Sequence, residues 1–216
     1  MRRVRERTLI VAVCGCLALG GCVTGHRNIE LSLPPVAGGG ADHGPISIDE
    51  VLDARQFEND PRSPSTPSIL GDVTRLTVEQ KQMFIGRQRN TYGKGMGDIA
   101  VTKGTVPSLI RDLLAQGFQQ RGYSVSSAPS IGPTVNVTVN EFWAWFSPGF
   151  ATVSFEARIK ATLNVTNSAK TSAIEVTGYG RNLGQIARDA NWQLAYRRAF
   201  EDFLKNLDRK LAEAGL

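Results

Sequence analysis

Cysteine is scarce in this chain of 216 residues: Cys14, Cys16 and Cys22 are the only three, and none follows residue 22. Everything beyond that point lacks a disulfide, a free thiol and a thiolate metal site, so its stability must come from a hydrophobic core. The remaining length, just under 200 residues, is ample for one. Histidine is scarcer still. His26 and His43 both precede the strongly patterned part of the chain and fall in what reads as a linker. That removes the usual general base, the usual imidazole ligand and any Ser-His pair, which argues against a hydrolase and against a metal or other cofactor. The apolar stretch from Leu9 to Leu19 also falls short of the roughly 18 or more residues that a membrane-crossing helix needs.

What is present around that stretch is informative. Arg2, Arg3, Arg5 and Arg7 precede it, and Leu19-Gly20-Gly21-Cys22 closes it. A basic region, a short apolar region and small residues before a cut are the three parts of a secretory signal. Ending in a cysteine, the order resembles the bacterial lipoprotein signal, whose lipobox cysteine is lipidated and becomes the first residue of the mature protein. The resemblance implies cleavage between Gly21 and Cys22, a diacylglyceryl thioether on Cys22 and an acylated amine after the cut. More than one acyl chain matters, because each buried methylene contributes only about 0.8 kcal/mol and a single chain holds reversibly. Val13-Cys14-Gly15-Cys16 is a weaker rival, since cutting there leaves an apolar region of about five residues where roughly 7–15 are expected. Val23 follows the cysteine. An aspartate there marks inner-membrane retention in enterobacteria-like sorting, so its absence favours a periplasm-facing anchor in the outer membrane of a Gram-negative bacterium over one in the inner membrane.

Removing residues 1–21 changes the charge argument. They hold four of the 25 basic and one of the 20 acidic residues, leaving 21 against 19, or +2 rather than +5. The basicity belongs largely to the signal, so nucleic acid is not expected as a partner.

Residues 23–45 contain Pro34-Pro35, Gly38-Gly39-Gly40 and Gly44-Pro45 and read as a flexible tether. About 23 such residues span roughly 25–30 Å. The expected organisation is a signal at 1–21, a lipidated N-terminus and tether at 22–45, and one periplasmic domain at 46–216 with a proline-rich insertion near 59–83. A first strand runs from Ile46 to about Ala54; a short helix fits Val78 to Phe84, and the rest of 55–100 has no strong period. From Val106 to Arg121 a helix is predicted, with Thr105 as N-cap and Leu109, Ile110, Leu113, Leu114 and Phe118 forming one stripe. Valines 135, 137 and 139 begin a strand; Val153 to Val165 and Thr171 to Arg181 alternate with period two as antiparallel strands with one solvated face. A last helix spans about Ala190 to Ala214. The fold class expected is α+β, ordered β-α-β-β-β-α: a mixed four-stranded sheet with two helices packed on one face.

The stretch from Ile85 through the first helix to Gly122-Tyr123-Ser124-Val125 resembles the YajG-type bacterial lipoproteins. With the lipobox and the order of elements it covers most of the mature chain, the proline-rich insertion excepted. The resemblance implies an outer-membrane lipoprotein with no active site to carry over.

Tyr92-Gly93-Lys94-Gly95-Met96-Gly97 invites a phosphate-loop reading, but it lacks the Gly-Lys-Ser/Thr ending and lies about eight residues from the next helix. A glycine-rich turn accounts for it better. Phe142, Trp143, Trp145, Phe146 and Phe150 crowd one hairpin. They either cap the core or form a partner- or membrane-contacting edge; the valine parity places Trp143 and Trp145 inward unless a bulge reverses it. Glu156, Arg158, Lys160, Glu175 and Arg181 line the polar face as cross-strand pairs, and Asn136, Thr138 and Asn140 are candidate sugar contacts. The function expected is a non-catalytic, lipid-anchored adaptor acting through envelope proteins. The alternative is a ligand-binding lipoprotein recognising cell-wall or lipid material on the open face.

Overall fold

The computed structural model describes residues 25–35, 42–90, 92–126, 132–148, 152–168, 170–184 and 188–216. In chain order these form β1 (Arg27–Ile29), β2 (Gly44–Asp53), a 3-10 turn (Val73–Arg75), α1 (Val78–Met83), β3 (Phe84–Arg89), β4 (Gly95–Val101), α2 (Val106–Gln120), β5 (Tyr123–Ser126), β6 (Thr134–Pro148), β7 (Val153–Asn167), β8 (Lys170–Gly184) and α3 (Asp189–Glu213). Every element and core residue among the described residues falls within 25–216.

The four-stranded sheet is overturned: eight strands join one mixed sheet. Strands β6, β7 and β8, each of 15 residues, form an antiparallel meander. On its other edge β6 is shared. Its first half pairs in parallel with β2, whose far side carries β5; near Ala144 it pairs with Gly86 of β3, beyond which lie β4 and β1. The strands missed by periodicity are short, as β1 and β5 are, or covered on both faces, as β3 and β4 are. Alternation reveals a strand only when one face meets water.

Helices α2 and α3 join one hydrophobic cluster with the inward residues of the sheet, among them Val135, Val137, Ile159, Leu163 and Val176. A capping box at Thr105 and Ser108 starts α2. Helix α3 lies close against β8, because a Cβ at Gly178 or Gly180 would collide with the Ala199 or Ala195 carbonyl. Its side chains also occupy the outer edge of β8: Asp202 accepts from the Tyr179 N–H at 2.9 Å, Asn206 donates to the Thr177 carbonyl at 3.0 Å, and Arg198 donates to the Arg181 carbonyl.

The tether reading fails for residues 25–35. Arg27–Ile29 is a strand, Ile29 and Pro34 are buried, and Leu31 and Leu33 pack on the core. Neither histidine is confined to a linker. His26 meets the Phe84 ring edge-on at 5.6 Å and bonds Asn28, while His43 lies over Tyr123 at 5.2 Å.

Candidate functional site

Gly21, Cys22 and Phe150 lie outside the described residues. The other hairpin aromatics are not an exposed edge. Phe142, Trp143 and Trp145 are buried and Phe146 is half-buried. A bulge is the reason: the pairing passes from Val139 with Ala161 to Glu141 with Lys160, leaving Asn140 over. Parity reverses there. Phe142 turns to the helices and stacks on Tyr196 at 5.0 Å, and Trp143 turns to the opposite face. There the proline-rich segment covers it, with Phe57 edge-on at 5.8 Å and Trp143 Nε1 donating to the Pro64 carbonyl at 3.3 Å. Trp145 lies beneath the Arg158 guanidinium, 5.2 Å away.

The open face further along is wired to itself. Lys160 pairs with Glu175 at 2.9 Å and Arg158 with Glu141 at 3.3 Å. Asn136 and Asn140, candidate sugar contacts, accept from the Glu50 N–H and the Thr162 hydroxyl. Burial raises Glu156, but hydrogen bonds from Tyr179, Ser147 and Ser154 outweigh it and hold the carboxyl below its ordinary range.

Sequence reasoning missed a basic cleft between the β3–β4 hairpin and the proline-rich segment. Its volume is about 690 Å³, and residues 59–61, 70–72, Arg87, Arg89 and 92–95 line it. Arg87 and Arg89 leave the same face of β3 and are only 4% and 9% exposed. Both converge on one neutral acceptor: Arg87 Nη1 and Arg89 Nη2 donate to Ser68 Oγ at 3.2 and 3.3 Å. Arg89 also donates to the carbonyls of Pro61 and Gly93, and Arg87 Nη2 lies 3.4 Å from the exposed carboxylate of Asp60. The Nε of each is buried with no hydrogen-bond partner. Burial, and then the charge of Arg87, pull the Arg89 pKa down. Nearby, burial raises the Asp98 carboxyl despite its bonds from the Leu70 N–H.

Arg55 shows what a purely structural arginine looks like in this fold. It is equally buried, yet its five N–H groups donate to both oxygens of Asp53 and to the carbonyls of Phe84, Phe142 and Lys81. The glycine-rich turn forms one rim of the cleft. Only Gly93 within it has a positive φ, 79°. Gly95 is required instead because a Cβ there would strike the Arg87 guanidinium, and Gly97 because a Cβ would strike the Gly25 carbonyl. Tyr92 and Lys94 stand exposed at the mouth.

No family model matches this chain, and no curated protein does. Among solved structures it is similar to an uncharacterized protein at 12% identity, over 88% of this chain and 95% of the other, with a TM-score of 0.35. It is also similar to a "putative lipoprotein" from Caulobacter crescentus CB15 at 21% identity, over 52% of this chain and 85% of the other, with a TM-score of 0.34. Among the described residues no helix is long and apolar enough to cross a membrane.

Proposed function

We propose that this chain is a lipid-anchored, non-catalytic domain at the periplasmic face of the outer membrane, acting as an adaptor for envelope proteins. The observation that carries this reading is the run from Arg2 through the short apolar stretch to Leu19-Gly20-Gly21-Cys22. The place of the first strand supports it. Three peptide links join Cys22 to Gly25, whose N–H donates to the Met96 carbonyl at 3.0 Å, and three links reach at most about 11 Å. The acyl chains therefore hold the domain against the membrane rather than letting it swing on a long tether. On this reading no cofactor is expected beyond those chains.

Changing Cys22 to Ala should abolish acylation, read by intact mass and palmitate labelling, and move the protein out of the membrane fraction. Unchanged membrane retention would contradict the lipobox. Cross-linking in intact cells should recover envelope proteins reproducibly. Recovery of none would count against the adaptor role.

A further inference from the structure

The arginine pair is the least satisfied charged group among the described residues. Two guanidinium groups sit side by side with a neutral hydroxyl between them, and each keeps a buried N–H without an acceptor. Leaving buried charge so poorly matched is costly unless something supplies the missing acceptors. The two carboxylates in the lining do not. Asp72 is engaged by Thr74 N–H, Thr74 Oγ1 and Asn59 Nδ2, with Arg75 at 3.8 Å. Asp60 reaches Arg87 at 3.4 Å and acts on Arg89 through charge without a hydrogen bond. Asp98, across the strands from Arg87, accepts from the Leu70 N–H with both oxygens.

Position adds a second, independent observation. Gly25 bonds Met96 and lies against Gly97, so the chain leaves the fold beside the β3–β4 hairpin, three residues after Cys22. The cleft mouth, with Lys94 and the 93% exposed Tyr92, is thus at the anchored end of the domain. An exposed tyrosine beside a lysine suits the headgroup layer, where amphipathic rings and cations reside.

We propose that this cleft binds a phosphate group, supplied by a lipid headgroup of the membrane that holds the domain, with Arg87, Arg89 and Lys94 as its cationic partners. The forked guanidinium matches phosphate oxygens, Lys94 adds a mobile point charge, and Tyr92 packs at the headgroup level. The phosphate chemistry rests on the cleft alone; the lipid source rests on the anchoring at Cys22.

The test has two arms. Residues 23–216, without the anchor, are titrated with inorganic phosphate by calorimetry. Saturable binding in the millimolar range or tighter is expected, at least ten-fold weaker in Lys94→Ala and lost in Gly95→Ala. Lys94 is exposed, so Lys94→Ala keeps the fold, and its circular dichroism and unfolding temperature should match the parent. In the second arm the acylated protein is reconstituted in phosphatidylglycerol vesicles or in phosphate-free galactolipid vesicles, and acetylation of lysines is followed by mass spectrometry. Lys94 should be protected several-fold only in phosphatidylglycerol, with Lys103 unchanged in both. No phosphate binding, or equal binding by Lys94→Ala, overturns the site. Phosphate binding without vesicle protection overturns the lipid source. A missing acyl mass on Cys22 would instead fail the anchoring and leave the first arm untouched.

Discussion

On the open face, the Tyr179 hydroxyl donates to Glu156 Oε2 at 2.7 Å, and the two groups shift each other in opposite directions. Burial first, then that bond and the Glu156 charge, push the Tyr179 pKa up to about 12, while Glu156 is held low. Folding thus retains a proton on Tyr179 that the unfolded chain gives up near its ordinary value of 10.0. The contribution is complete below that value and is lost as pH rises through about 12. Glu156 behaves in the reverse sense, its contribution being present above its unfolded pKa and lost as pH falls through the depressed folded one. Tyr179→Phe should remove one late-titrating phenol from the ultraviolet titration and flatten the decline of unfolding temperature on the alkaline side. A parent titration in which that phenol ionises near 10 would contradict the Glu156 bond. Tyr179 is 44% exposed, so solvent screens the pair and the stability change itself is small.

At the scale of elements, β8 is a 15-residue edge strand whose pairing among the described residues is with β7 alone. Such an edge invites pairing with another chain. Here α3 blocks it, because Asp202, Asn206 and Arg198 take the outward backbone groups at Tyr179, Thr177 and Arg181. The double variant Asp202→Ala with Asn206→Ala should free two of those groups and promote self-association, seen as a concentration-dependent shift in sedimentation. A strictly monomeric variant at high concentration would argue against the edge being what α3 protects. The partner of this edge was legible in part. Helix α2 matches its predicted span to one residue, and β7 and β8 announce themselves by alternation, because each has one wet face. What could not be read was whatever lacked that contrast. Strands β3 and β4 carry Arg87, Arg89 and Asp98 beneath a covering loop, so charge there does not mean solvent. The bulge at Asn140 left no local signal and reversed the parity of the strand from Glu141 onward. The basic cleft was hidden for the same reason: its arginines come from a strand that did not look like one. The glycine-rich turn was visible, but its glycines serve close approach rather than a turn alone.

For the molecule as a whole, the anchoring proposed at Cys22, together with the strand directions and the short link, would set one end against the membrane. Strand β1 runs parallel to β4, so Gly25 lies where β4 begins, beside the β3–β4 hairpin. The parallel pairing of Gly86 with Ala144 puts the ends of β3 and β6 together, and with them the start of β7. The Asn167–Lys170 end of the meander lies opposite. At about 3.3 Å per residue the 15-residue strand β7 separates the two ends by roughly 45 Å. A dye on Tyr92→Cys in the acylated protein should therefore be quenched strongly by headgroup quenchers in reconstituted vesicles, while one on Lys170→Cys should be almost unaffected. Lengthening the link by about twenty Gly-Ser residues after Cys22 would add roughly 25 Å of reach and weaken the quenching at 92 if the anchor alone imposes the orientation. If the arginine cleft also holds a headgroup, much of that quenching should survive the longer link and disappear only when Lys94→Ala is added.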